Sequence, residues 1–330
     1  MTKDTATDLV VITPAELDAD VQARIAAIDE RVVELVKKSK APATIAAYDS
    51  DMEQFSKWCT QFDYPALPTD EMTLMRYLAA HADTLKPSTL GRRLSAIKRI
   101  HATHKLTDPV TEGVKLTLES IRREKGSRQK QAAAVSTEDL AAAISALDLN
   151  TPRGLRDRAV LTIGYGGALR RSEIVGMDIE HIKDLPKGLE IFIPFSKGDQ
   201  TGEGQLIAID RGEHRLTSPT LAYREWVRAA NITTGPVFRP ITTGDLIREE
   251  RMSTQTVNRI VKLAAAAAGL DVAHFSAHSL RVGHVTTAMR AGVRDIDVMQ
   301  TTRHKSLSMV HRYDAGALLW DHNSSASLGL

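Results

Sequence analysis

The chain has 330 residues, with 43 Lys/Arg against 41 Asp/Glu, a formal charge of +2 and a single cysteine, Cys59. At about 150 residues per domain the length supports two domains, the lone cysteine excludes an internal disulfide and any cysteine-cluster metal site, and no run approaches the roughly 18 apolar residues of a membrane span. The polar start MTKDTATDL lacks the charged-then-apolar order of a secretion signal, so the expected location is the cytoplasm, with no membrane partner.

Residues 1–20 are expected to be a flexible N-terminus. Behind them TIAAYDSDMEQFSKWCTQF places Ile45, Tyr48, Met52, Phe55 and Trp58 at helical spacing, and EMTLMRYLAAHADTL and STLGRRLSAIKRIHATH repeat the pattern. A further helix, PVTEGVKLTLESIRREKG, opens after Asp108-Pro109, so residues 21–123 read as a bundle of four or five helices. Cys59 is most simply a small core residue.

Charge is divided unevenly along this region. Residues 1–83 hold 8 basic against 15 acidic residues, residues 84–130 hold 12 against 4, and the rest holds 23 against 22, giving balances of −7, +8 and +1. A basic block in a chain of ordinary composition points to a polyanion, with nucleic acid the leading candidate. In STLGRRLSAIKRIHATH, Leu90, Leu94, Ile97 and His101 can face the core while Arg92, Arg93, Lys98 and Arg99 lie outward, suited to phosphates and base edges. The alternative is a solvated charged face without a ligand.

RREKGSRQK lacks apolar periodicity and reads as a basic interdomain linker, set at 124–133, able to cross a DNA backbone. The second domain, 134–330, opens on the capped helix VSTEDLAAAISAL. A more apolar helix, LRDRAVLTIGYGGAL, then runs into RRSEIVGM, and LEIFIPF, SKGDQTGEG and QLIAID read as two short strands around a Gly-rich turn. SPTLAYREWVRAA, MSTQTVNRIVKLAAAAAG, SAHSLRVGHVTTAMRAG and HKSLSMVHRYDAG are helical. The fold class is therefore mainly α: a helical N-terminal domain, then an α-rich domain with a small antiparallel β-sheet.

Several polar residues here lack an obvious structural task. Arg170 ends an apolar helix, where a charge needs a partner, and Glu173 can supply one. Lys197 stands at the tip of the strand pair, His278 and Arg281 share a helix face, and His304 and Tyr313 close the set. Arginines match phosphate oxygens bidentately and stay charged, so these side chains form a set that a metal-free attack on a phosphodiester uses. Leu307, Val310 and Tyr313 at helical spacing leave open a plainer reading, in which Tyr313 is the partly buried end of an amphipathic helix.

In their order and local context these residues resemble the boxes of tyrosine site-specific recombinases, the lambda-integrase family. ALRRSEI resembles the first arginine box, the SK of the hairpin the family lysine, AHSLRVG the His-x-x-Arg box, and RHKSLSMVHRY the final histidine and tyrosine. The likeness covers roughly residues 20–320 and is greatest to the Cre-like members. It implies that 21–123 is a core-binding, DNA-binding domain and 134–330 a catalytic one. It further implies that Tyr313 is the nucleophile, Arg170 and Arg281 hold the phosphate, His278 is the base, Lys197 the acid, His304 a hydrogen-bond donor and Glu173 the support of Arg170. No metal and no cofactor is implied. The partners implied are double-stranded DNA bearing a specific site and further copies of the chain, as a homotetramer on two sites joined by a tail at 317–330. Gln255, Asn258 and Arg259 correspond to a helix that enters the major groove, and the resemblance implies a nucleoid-associated protein of bacterial, phage or plasmid origin. The chain departs from the family's Leu-Gly-His at Thr302-Arg303-His304.

Three other functions compete. A type IB topoisomerase shares the chemistry, and a DNA-binding regulator needs only the basic face. A metal enzyme could use His274 and His278 at i and i+4, although the chain lacks the glutamate beside the first histidine that a metalloprotease helix carries.

Overall fold

A computed structural model of the chain describes residues 19–38, 42–126, 132–195, 203–314, 325 and 328, with 19–20, 33–38, 42–43 and 312–314 described by backbone alone. The chain divides into two units, Met1–Gln129 and Lys130–Leu330.

The first unit contains α1 (Ala19–Lys38), α2 (Pro42–Gln61), α3 (Glu71–His81), α4 (Pro87–Thr103) and α5 (Glu112–Lys125). Helix α3 begins where Asp70 accepts a hydrogen bond from the Thr73 N–H at 2.7 Å, and α4 begins with Pro87, whose missing N–H costs nothing in a first turn. The apolar stripes meet in one core: Phe55 and Trp58 from α2, Leu74, Tyr77 and Leu78 from α3, Leu90, Leu94 and Ile97 from α4, Val114, Leu118 and Ile121 from α5. Cys59 is buried beside them, and burial pushes its thiol up to about 11, so it packs rather than reacts.

The second unit runs α6 (Thr137–Ser145), α7 (Pro152–Gly166), α8 (Arg171–Gly176), β1 (Ile182–Leu185), β2 (Gly188–Ile193), β3 (Gln205–Asp210), α9 (Pro219–Ala229), α10 (Thr254–Ala267), α11 (His278–Arg290), α12 (Asp295–Thr302) and α13 (Leu307–Asp314). Ser136 caps α6 in a capping box with Asp139, and Ser253 caps α10. The sheet is antiparallel in the order β1-β2-β3, with Ile182 opposite Ile191 and Ile191 opposite Ile207. Leu189, Ile191 and Ile193 alternate inward on β2, as Ile207 and Ile209 do on β3, and join the core built by α7, α9 and α10.

Two elements go beyond the sequence reading. β1 adds a third strand to the expected pair, and α12 forms where no helix was expected. A small separate core of Val285 from α11, Val298 from α12 and Val310 from α13 holds the last helix in place. At about 1.5–3 kcal/mol for each fully buried valine, this cluster anchors α13 more weakly than the main core holds α7.

Candidate active site

Four of the residues singled out by the sequence, Arg170, Glu173, Arg281 and His304, come together where α7 meets α8. A Cβ on Gly167 would stand 2.9 Å from Ile209 Cδ1 of β3, so glycine lets the end of α7 turn against the sheet. Ala168 follows in a left-handed conformation at φ 47° and Leu169 is fully buried, which brings Arg170 to the start of α8. Glu173, itself buried, holds it: the Arg170 backbone N–H donates to Oε2 at 2.9 Å, and Nη1 donates to Oε1 at 2.7 Å. The carboxylate thus caps α8 and fixes the arginine in one arrangement.

Arg281, in the first turn of α11, is fully buried. Its Nη1 donates to Ala168 O at 2.6 Å and its Nη2 to Thr302 O, so one side chain ties the α7–α8 turn to the end of α12. Nη2 also lies 2.8 Å from His304 Nε2. The tautomer of His304 follows from its neighbours. Thr302 Oγ1 donates its single proton to Val298 O at 2.7 Å, so it accepts from His304 Nδ1 at 2.8 Å. Nε2 then keeps the lone pair that receives Arg281. Burial, with Arg281, Arg170, His278 and Arg303 adding to it, pushes the His304 pKa down to about 3, which keeps the ring neutral.

His278 is the first residue of α11 and is exposed. Desolvation of the ring and then the Arg281 and Arg170 guanidiniums lower its pKa, leaving a neutral imidazole able to take a proton near pH 7. Tyr313 lies on α13, three residues beyond the buried Val310, where the backbone alone is described. Lys197 falls between β2 and β3 and lies outside the described residues, as do 317–324, 326–327 and 329–330 of the expected tail.

Sequence reasoning missed one residue of this cluster. Arg303 has a side chain only 4 % exposed and donates from Nη2 to Glu173 Oε2 at 2.7 Å. The departure from Leu-Gly-His marked the position, and the backbone keeps the turn nonetheless, at φ 56° and ψ 43°.

A model described as the phage integrase family matches residues 134–317, more than half of the chain. The chain belongs to the phage integrase family. It is a tyrosine recombinase, an enzyme of DNA strand breakage and rejoining. An "Integrase/recombinase xerD homolog" of Selenomonas ruminantium is 38% identical over 282 residues, 84% of this chain and 83% of that one. Among solved structures, a lambda integrase dimer bound to a COC' core site matches with a TM-score of 0.60 at 16% identity, covering 91% of this chain and 82% of the other. A lambda integrase tetramer bound to a Holliday junction matches with a TM-score of 0.55 at 17% identity, over 89% and 80%. These structures share the recombinase's fold.

The recombinase's expected DNA-reading residues divide when placed. On α4, Arg92 is 52 % exposed and grips the buried Asp51 in a bidentate pair at 2.8 and 2.9 Å. Arg93 does not lie outward as expected: it is 13 % exposed, near Asp51 at 3.6 Å, and donates to the Tyr77 hydroxyl, because a buried carboxylate and phenol draw the guanidinium inward. Lys98 pairs with Asp108 at 2.5 Å, and Arg99 is half-buried. On α10, Gln255 and Arg259 are exposed, whereas Asn258 Oδ1 accepts from the Ala277 N–H at 3.0 Å, which fixes the segment before α11. Asn258 therefore has a structural task that its place in the periodicity did not reveal.

Three further histidines near these elements have other partners or places. His284 Nδ1 lies 2.9 Å from Tyr165 O, and the exposed His311 pairs with Asp295 at 2.6 Å. His274 belongs to a 3-10 turn ahead of α11, so it does not share a helix with His278 as a metal-binding pair would. No described helix is long and apolar enough to cross a membrane.

Proposed function

We propose that this recombinase exchanges strands between two copies of a specific DNA site through a 3′-phosphotyrosyl intermediate and a Holliday junction. In this reading residues 21–123 grip the site as a core-binding domain, 124–133 link, and 134–330 catalyse, in a cytoplasmic protein that works on the nucleoid. The observation that carries the reading is the convergence of Arg170, Arg281 and His304 around the α7–α8 turn, with the Tyr313 helix anchored beside them through Val310.

The chemistry follows from those groups. The Tyr313 oxygen attacks the scissile phosphorus, the bond to the 5′ oxygen breaks, and the tyrosyl ester keeps the phosphodiester energy, so no ATP is consumed. A free phenol has a pKa of about 10, and His278, neutral and solvent-facing, takes its proton. Lys197 returns a proton to the leaving 5′ oxygen. Arg170 and Arg281 hold the non-bridging oxygens as charge builds. His304 holds Arg281 through its Nε2 lone pair while DNA is absent. To donate to the phosphate, His304 must carry a proton on this nitrogen in the DNA complex, a state that the phosphate's negative charge favours.

Assembly as a homotetramer on two sites is part of the same reading, with the tail at 317–330 docking on the next copy. Deleting that tail should leave half-site binding intact and abolish cooperative binding to the full site. The product tests the function. With a site selected from a random DNA library, two copies in trans should yield recombinants and junction intermediates. Relaxation of supercoils without sequence preference would instead make it a type IB topoisomerase-like enzyme, and binding without cleavage a regulator.

A further inference from the structure

Arg303 is a guanidinium at this site that none of the steps above uses. Its backbone sits in the left-handed region at φ 56° and ψ 43°, where a side chain brings strain that glycine avoids. Its side chain is 4 % exposed, and while Nη2 donates to Glu173 Oε2 at 2.7 Å, Nε and Nη1 are buried without a hydrogen-bond partner among the described residues. Arg158 shows what a purely structural buried arginine looks like here: its donors reach Leu216 O, Arg215 O and Glu225. Strain and unmet donors together are costs that scaffolding alone does not require.

We propose that Arg303 is a positioning residue for DNA cleavage, which sets Arg170 through their shared carboxylate, Glu173, and supplies the positive charge that this pair otherwise lacks. The inference rests on the recombinase reading of the site. Geometry supports the first half. Glu173 Oε1 receives Arg170 Nη1 and Oε2 receives both the Arg170 N–H and Arg303 Nη2, so Arg303 braces the carboxylate from the side opposite Arg170 Nη1. Arg303 also lies between Thr302, whose carbonyl receives Arg281, and His304, so its ion pair links α8 to the turn that holds the second phosphate-binding arginine.

Charge supports the second half. Arg170 and Glu173 alone cancel. With Arg303 the trio keeps one net positive charge, beside a phosphodiester that carries one negative charge and gains another as the tyrosine attacks. A fixed cation is worth most where charge develops in a site shielded from water.

The test is single-turnover formation of covalent complex on a nicked half-site DNA, which lets the 5′ fragment diffuse away. Glycine is the informative replacement, because it relieves the backbone strain while deleting the side chain. Arg303→Gly and Arg303→Met should slow the step by about 10- to 100-fold per folded molecule at unchanged half-site affinity, and Arg303→Lys should recover to within about fivefold of wild type. In a Glu173→Gln background Arg303→Met should add little, since the two residues act as one unit. A glycine variant as fast as wild type overturns the inference, as does a lysine variant no better than methionine. If wild type forms no complex that Tyr313→Phe abolishes, the reading of the site itself fails, and the inference with it.

Discussion

Arg156 and Arg158 in the first half of α7 are as deeply buried as Arg281, at 1 %, 3 % and 0 % exposed, yet the two groups are held differently. Arg156 donates from Nε and Nη2 to the adjoining Asp157 at 2.8 and 2.6 Å, and Arg158 is closed off by two carbonyls and Glu225. Past the end of the helix, Arg170 shares its carboxylate with Arg303, and Arg281 is oriented by two carbonyls and a neutral imidazole. A cation paired one to one is neutralised and serves the fold. Arg170 and Arg303, sharing one anion, leave a net positive charge, and Arg281 is held by carbonyls and an imidazole, so in the proposed reaction these cations can meet a phosphate.

Substitutions at the two ends should therefore separate activity from stability. Arg170→Ala should lower the rate of covalent-complex formation by about 10²–10³-fold while the melting temperature holds, because the Glu173 cap on the backbone N–H survives. Arg156→Met should do the reverse, costing about 3 kcal/mol of stability in urea titrations while cleavage per folded molecule is unchanged. The cost sits at the low end of the range because burial already pushes the Asp157 pKa up, and a carboxyl that takes a proton is cheaper to leave buried. An Arg170→Ala protein that melts early, or an Arg156→Met protein that folds but does not cleave, would erase the distinction.

The same contrast operates within α10. Gln255 is exposed and Asn258 is occupied, so Gln255 variants should shift preference at one or two base pairs by about 1–3 kcal/mol in a site-selection assay. Asn258→Ala should leave the site profile alone and cost about 1 kcal/mol of stability.

Acidity sharpens the comparison further. His278, His284 and His304 all have folded pKa values below the ordinary 6.5, each lowered first by desolvation, so the unfolded chain binds protons that the fold refuses. Their contribution to stability is full above about pH 6.5 and is lost as pH falls, over a window that reaches toward 3 for His304. Thermal unfolding at pH 8, 6 and 5 should show falling midpoints, with a shallower fall in His304→Asn.

The smallest effect concerns α4. Arg92→Ala should reduce the salt slope of DNA binding by about one unit and Arg93→Ala by much less, since Arg93 faces Tyr77 and Asp51.

Much of this was legible in the sequence because it depends on spacing. The stripes of α2 to α5 and the caps at Ser136 and Ser253 are periodic or local signals, and the recombinase boxes lie in order along the chain. What was not legible depends on contacts between distant segments. β1 buries no residue fully, α12 shows little apolar pattern with only Val298 and Thr302 buried, and Arg93 turns inward toward a carboxylate more than forty residues away. Arg303 is the sharpest case. Its position was marked only as a break from a glycine pattern, and its bond to Glu173 spans 130 residues.

The account turns on Tyr313 being the atom donor that joins protein to DNA. The direct measurement is to trap the covalent complex on a nicked site in the presence of EDTA, digest it with protease, and identify the residue that carries the 3′-phosphate by mass spectrometry. The account predicts a single phosphotyrosyl peptide containing Tyr313, absent from Tyr313→Phe protein that binds the same DNA with unchanged affinity. Phosphate on any other residue, or a complex that persists in Tyr313→Phe, would contradict it.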